Sequence, residues 1–204
     1  MGIPSRIGLD LDNTVIDYTP AYRAIAALVG LQKEFVDRGS IRPLLRKSDD
    51  DDMEWQRFQA LLYTDGLTFA QPAAGLSDFL NLCATLNVRV FIVSHKTATT
   101  PVQFGARDLR EPAQAWLMNQ GIVPGYVEEE DVYFCSTRVE KVRTIASLGC
   151  QAFVDDLIEV LEHPDLPIEI MRFHYQLDPC ASDDPALGVQ PANFTSILTW
   201  LAAC

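Results

Sequence analysis

The sequence predicts an α/β fold, a mainly parallel sheet flanked by helices and interrupted once by a helical insertion. Short apolar runs alternate with segments of helical periodicity along most of the chain. Between residues 18 and 69 that alternation stops and only helical patterns remain. Two apolar runs, one on each side of that stretch, end in pairs of aspartates, and in open α/β sheets ligands bind beyond the carboxyl ends of the strands.

Taken in order, the runs at 7–11, 88–93, 132–135, 152–154 and 168–173 read as buried strands, too short and too apolar for surface helices. Leu76, Phe79, Leu80, Cys83 and Leu86 keep helical spacing, as do Val142, Ile145 and Ala146 before Gly149, and Phe194, Ile197, Leu198 and Leu201 near the end. Asp108 and Glu111 open a further helix that carries Trp116 and Leu117. Inside the insertion, Thr19-Pro20 reads as N-cap and first-turn proline, with Tyr22, Ile25, Ala26 and Val29 on one face. Trp55, Phe58, Leu61 and Leu62 form another face, and the turn at Asp65-Gly66 and the boundary at Gln71-Pro72 return the chain to the sheet. The division expected is therefore 1–17 with 70–204 for the α/β core and 18–69 for the helical insertion.

Composition narrows the function. A chain of 204 residues with 48% hydrophobic and 22% charged content is long enough for one substantial core. A net charge of -12 opposes nucleic-acid scaffold binding, which needs clustered Lys and Arg. Cys83, Cys135, Cys150, Cys180 and Cys204 are widely spaced without a C-x-x-C, so reduced thiols and a cytoplasmic location are expected, with no zinc site. The start of the chain lacks signal-peptide features, and the uncharged segment 185–204 is broken by Pro185, Gln190, Pro191 and Asn193. It reads as a loop and short amphipathic helix, so no membrane span is expected.

The chemistry concentrates at strand ends. Ile7-Gly8-Leu9 leads into Asp10-Leu11-Asp12, and continued strand alternation would put both carboxylates on one side, where a cation or shared proton must offset their repulsion. A similar spacing within 49–52 has polar flanks and reads as a solvated charge run. Ser94 ends the second run, either to hold a phosphoryl oxygen or to cap the next turn of the chain. Lys141 sits in the first turns of a helix that Thr137 and Glu140 open as a capping box, bringing positive charge to the sheet edge or simply to solvent. Asp155 and Asp156 end the fourth run; capping of the next helix explains one of them and not both.

These four motifs, in this order, resemble the haloacid dehalogenase superfamily, with the likeness extending from Arg6 to about Leu161. The resemblance implies a Rossmann-like three-layer core, a small inserted α-helical cap of the C1 type, and Mg²⁺-dependent phosphoryl transfer through an aspartyl-phosphate. It makes Asp10 the nucleophile and a metal ligand. Asp12 would be the acid and base and offer its backbone carbonyl to the metal, while Thr14 would orient the loop. Ser94 would bind the phosphoryl group, Lys141 would bridge that group and Asp10, and Asp156 would complete the metal site with Asp155 beside it. The family's fourth motif often reads Gly-Asp, so Asp155 departs from it and leaves open which aspartate touches the metal. Members that remove halogen from carbon generally lack the second aspartate of the first motif, so Asp12 points to phosphate esters.

Elementary electrostatics agrees with these roles. A carboxylate attacking a phosphate dianion brings like charges within about 4 Å, a repulsion of about 4 kcal/mol per unit pair at an effective dielectric of 20. Mg²⁺ prefers oxygen ligands and needs few carboxylates, which suits two acidic pairs without histidine or thiol. The expected substrate is a small phosphorylated metabolite. His95, Lys96 and Arg107 are candidates to meet it, with exposed loop positions as the alternative, and Arg42, Arg46 and Lys47 are candidates for a second anionic group. His163 and His174 read as structural, and Trp55, Trp116 and Trp200 as core. Two other readings stay open: a phospho-accepting receiver-like signalling module, whose motif order disagrees with this chain, and a catalytically weak member of the superfamily acting as a binding domain. Oligomeric state is not encoded in any of these features.

Overall fold

The computed structural model describes residues 2–31, 41, 43–45, 52–177 and 188–204. Arg42, Arg46, Lys47, Cys180, Pro185 and residues 49–51 of the acidic run lie outside the described residues. The chain divides into two compact units, one of 1–16, 72–96 and 118–204 and a second of 17–71 and 97–117.

Among the described residues the strands in chain order are β1 (Arg6–Leu9), β2 (Ile16–Asp17), β3 (Gln71–Pro72), β4 (Arg89–His95), β5 (Val132–Cys135), β6 (Ala152–Asp155), β7 (Met171–Tyr175) and β8 (Val189–Ala192). Six of them form the first unit's sheet in the order β5-β4-β1-β6-β7-β8, with every neighbouring pair parallel. The remaining two, β2 and β3, pair as a short ribbon. The chain builds the sheet outward from β1 through β4 and β5, then returns to the other side of β1 to lay down β6. That reversal is the topological switch point of a doubly wound sheet, the crevice where such folds bind ligands. Leu9 pairs in register with Ile92 on one side and Val154 on the other, so the residues just past these three positions share one edge.

Packing sets what β1 can hold. Gly8 is needed because a Cβ there would lie 2.6 Å from Phe153 Cδ2 and 3.1 Å from Cys150 Sγ. Phe153, Val160, Leu161 and Phe91 belong to the apolar cluster on one side of the sheet. Helix Phe194–Ala202 is fixed by a capping box between Asn193 and Ser196, and Phe194 packs tilted on Phe79 with ring centroids 5.3 Å apart.

Several sequence expectations shift in detail. The first strand stops at Leu9 instead of Leu11: the Leu11 carbonyl accepts from Val15 N at 3.0 Å and Ile16 N at 2.8 Å, and Asn13 takes the left-handed φ of 62°. Strand alternation therefore ends before it reaches Asp12. The run at 168–173 starts as strand only at Met171, and Ile168 is exposed. An additional strand, β8, lies within the segment read as loop; Pro191 is tolerated because β8 sits at the sheet edge, where a missing N–H costs no ladder bond. Tyr18, not Thr19, is the N-cap of helix Thr19–Leu28, and Asp17 Oδ1 accepts from Thr19 N at 2.8 Å.

In the second unit, helices Thr19–Leu28 and Met53–Leu62 bring Tyr22, Phe58 and Trp55 into a stack with successive centroids 6.0 and 5.9 Å apart. This unit also takes in 97–117, beyond the expected 18–69 insertion. An Arg107 fork on Asp65, at 2.6 and 2.8 Å, fastens that stretch to the inserted helices. Asp108 Oδ1 accepts from Arg110 N at 2.8 Å and Glu111 N at 2.6 Å, opening helix Arg110–Asn119 as expected.

Candidate functional site

Asp10 leaves the end of β1 with its N–H on the Val154 carbonyl at 2.8 Å, which seats it beside the end of β6. Lys141 reaches it from helix Arg138–Ser147. That helix opens at Thr137 as predicted, with Thr137 Oγ1 accepting from Glu140 N at 3.1 Å, but the reciprocal bond of the expected capping box is displaced by one residue, Glu140 Oε2 accepting from Ser136 N at 2.7 Å. Fixed by this cap, Lys141 is 1% exposed and donates to Asp10 Oδ1 at 2.5 Å and Asp155 Oδ2 at 2.6 Å. Its ammonium also lies 5.6 Å from the Phe153 ring centroid, the same ring that requires glycine at position 8. A solvated lysine is thus replaced by a buried, doubly paired one.

Asp155 performs two tasks with its two oxygens. Oδ2 accepts from Lys141, and Oδ1 accepts from Leu157 N at 2.9 Å, holding the start of helix Ile158–Leu161. That bond is an Asx turn ahead of the helix, whose N-cap Leu157 carries no side-chain cap, so helix capping, expected to explain one of the two carboxylates, does not explain Asp155. Asp10, Asp155 and Asp156 are all buried, and each places a carboxylate oxygen within 4.8 Å of the other two. Burial drives the Asp10 carboxyl well above its ordinary range, Asp155 and Asp156 add to that, and Lys141 opposes it. For Lys141 the desolvation that would neutralise it is outweighed by Asp10 and Asp155, which hold its pKa above the usual value and keep it charged.

Asp12 stands apart from this cluster. Its carboxylate receives Lys96 Nζ, 2.8 Å from Oδ2 and 3.0 Å from Oδ1, and Lys96 is itself buried. The repulsion expected between Asp10 and Asp12 is thus relieved by giving each carboxylate its own ammonium. Ser94, at the end of β4, and Thr14 are fully buried, and neither hydroxyl has a hydrogen-bond partner among the described residues. His95 is exposed at the strand end. Arg107 belongs to the second unit, where both of its terminal nitrogens engage Asp65.

One residue read as merely structural has a place here. His174 lies opposite Asp155 in the β6–β7 register, with Nε2 3.2 Å from the Asp156 carbonyl and Nδ1 3.2 Å from Gln176 Nε2. With the Gln176 amide donating to Nδ1, the ring N–H falls on Nε2 and donates to Asp156, steadying the acidic turn from behind. Sequence distance conceals that contact, since only strand pairing brings 174 to 156.

Taken as ionised, the four carboxylates Asp10, Asp12, Asp155 and Asp156 face two ammonium groups, Lys96 and Lys141, leaving two negative charges. Hard oxygen donors with that surplus fit a divalent cation such as Mg²⁺. The buried hydroxyls of Ser94 and Thr14 fit an oxygen-rich anionic group.

No protein-family model and no curated protein matches this chain. Solved structures do match along its full length. A predicted phosphatase from Clostridium acetobutylicum superposes with a TM-score of 0.62 at 11% identity, covering 100% of both chains. A HAD family hydrolase from Deinococcus radiodurans, solved with bound phosphate and sodium, gives 0.56 at 12% identity over 98% of this chain and 95% of that one. Protein Tyrosine Kinase A from Mycobacterium tuberculosis gives 0.62 at 15% identity over 98% and 99%. At such identities the likeness is one of fold: the chain has the haloacid dehalogenase fold.

Proposed function

We propose that this protein is a Mg²⁺-dependent phosphatase that hydrolyses a small-molecule phosphate monoester through an aspartyl-phosphate on Asp10. The carrying observation is the buried Asp10–Lys141–Asp155 network at the switch point of the sheet, with Asp12 held separately on Lys96.

In this reading an Asp10 carboxylate oxygen attacks phosphorus as the ester oxygen leaves, and Asp12 gives that oxygen a proton. Asp12 then takes a proton from water, whose oxygen attacks the aspartyl-phosphate and releases inorganic phosphate, restoring Asp10. Lys141 stays against Asp10 and offsets the charge of the transferring group, and the Ser94 hydroxyl donates to one of its oxygens. Thr14, between Asp12 and β2, buries a hydroxyl without a partner among the described residues, and it would meet the same group. Asp10, Asp155 and Asp156 would hold Mg²⁺ by carboxylate oxygens, with a backbone carbonyl from Asp12. Bound there, the ion supplies positive charge against a like-charge repulsion of about 4 kcal/mol per unit pair.

The named phosphatase and the phosphate-bound hydrolase of the same fold support this chemistry, and the surplus of negative charge in the cluster supports the metal. Among the described residues no helix is long and apolar enough to cross a membrane. Cys83, Cys135, Cys150 and Cys204 are free thiols, which favours the reducing cytoplasm as its compartment. Asp10→Asn should abolish Mg²⁺-dependent hydrolysis of an aryl phosphate; hydrolysis that persists in that variant, or in excess chelator, refutes the proposal.

A further inference from the structure

Lys96 is a cation in an unusual place for a residue beyond a strand end. A long charged side chain there ordinarily extends its stem out to water. Lys96 instead is 3% exposed, and its backbone N–H is pinned to the Cys135 carbonyl at 2.9 Å. Burying an ammonium costs several kcal/mol unless a good partner meets it, so the contact with Asp12 is not incidental to the fold of this edge. That partner sits in the curl after β1, where strand alternation has ended and the pleat no longer dictates a side-chain direction.

Asp12 has two attractive destinations. Two residues away lies the cluster of Asp10, Asp155 and Asp156, which would hold a divalent cation able to draw in a further carboxylate. The other is Lys96, at 2.8 and 3.0 Å from its two oxygens. We propose that Lys96 is the positioning residue for Asp12, holding that carboxylate by both oxygens outside the metal's ligand set, where it can serve the leaving group. The inference rests on the phosphatase reading for the task of Asp12, and on the ion pair alone for its placement.

The consequence depends on the leaving group. A displaced Asp12 delivers no proton to the departing oxygen, which an alkoxide needs and a nitrophenolate does not. Lys96→Met keeps the stem and removes the ammonium. With Mg²⁺ present, release of the leaving group in the first turnover should slow by about 100-fold or more for an alkyl phosphate and by less than about 5-fold for nitrophenyl phosphate, whereas steady-state kcat, which includes the Asp12-assisted attack of water, should fall for both. A rise in KM with kcat intact would make Lys96 a substrate-binding residue and overturn the proposal, as would equal slowing of leaving-group release from the two esters or no slowing of either.

A crystal structure of Lys96→Met supplies a readout independent of turnover. The Asp12 carboxylate should leave its wild-type position; an unmoved carboxylate overturns the proposal. Should the wild-type protein hydrolyse neither ester, the phosphatase reading fails, and the crystallographic comparison still decides the role of Lys96. If Lys96→Met does not fold, Lys96→Leu, which likewise has no donor for Asp12, carries the same two measurements with the same expected and refuting results.

Discussion

Replacing Lys141 by methionine keeps the alkyl stem and deletes an ammonium shared by two buried carboxylates, Asp10 at 2.5 Å and Asp155 at 2.6 Å. Removing one partner of a buried ion pair costs about 3–5 kcal/mol because the remaining charge stays desolvated. In a chain of this length each kcal/mol moves Tm by about 2–4 °C, so a fall of roughly 6–20 °C is expected. The burden falls mainly on Asp10, since Asp155 keeps the Leu157 N–H. A divalent cation should relieve it: with a positive charge removed, the cluster attracts Mg²⁺ more strongly, and stabilisation by a ligand grows with its affinity. Calorimetry with and without Mg²⁺ on the wild type and Lys141→Met, and without it on Lys141→Met/Asp10→Asn, tests this. Mg²⁺ should raise Tm more in the single variant than in the wild type, and the double variant should recover at least about 1 kcal/mol of the loss. A fall in Tm under about 2 °C, or identical Mg²⁺ responses, would refute the shared-cation account.

Three further expectations concern the scaffold. Gly8→Ala should destabilise by about 1–3 kcal/mol in urea unfolding, because its Cβ would meet Phe153 Cδ2 at 2.6 Å; a neutral substitution would show that the ring is free to move. Arg107→Ala should cost less than about 1 kcal/mol, since both partners of the pair are close to half exposed. Its hydrogen bond holds the Asp65 carboxyl below the ordinary range, so the contribution is present above about pH 4 and fades as pH falls through the lowered value. A difference between variant and wild type that survives at low pH would contradict this. Burial pushes the Cys83 and Cys150 thiols up to about 12, so neither should alkylate in the native protein at mildly alkaline pH, as peptide mapping would read; rapid native labelling of either would refute their burial.

What could be read from the sequence was whatever is local. An apolar run that ends abruptly on a polar residue marks both a strand and its edge, which is why Asp10, Ser94 and Asp155 are visible without a structure. The capping pattern at Thr137 and Glu140 similarly locates Lys141, though not its burial, because nothing local reports that a helix start faces inward. Features that depend on tertiary pairing escape. Lys96 meets Asp12 across 84 positions, and His174 reaches Asp156 only through strand register. The β8 strand escapes because a proline in a four-residue run outweighs its apolar neighbours unless the run is known to lie at an edge. Alternation misleads at Asp12 for a different reason: it presumes a strand continues, whereas the strand ends at Leu9 and the Leu11 carbonyl is already taken up by the turn that returns to Val15 and Ile16.

The fold alone does not choose the chemistry, since one structure sharing it is named a tyrosine kinase and another a phosphatase. A kinase and a phosphatase both need phosphoryl binding and charge neutralisation, and both could use Lys141 and the acidic cluster. They differ in what must happen to the proton. Hydrolysis requires one group to deliver a proton, recover one from water and exchange with solvent between turnovers. The exposures of the first aspartate pair fit that demand: the Asp12 side chain is 15% exposed, whereas that of Asp10 is 7% exposed and enclosed by Lys141 and Asp155. The more sheltered carboxylate suits the covalent step, and the more accessible one suits traffic with water. Holding Asp12 on its own lysine keeps that traffic apart from the acidic cluster of Asp10, Asp155 and Asp156.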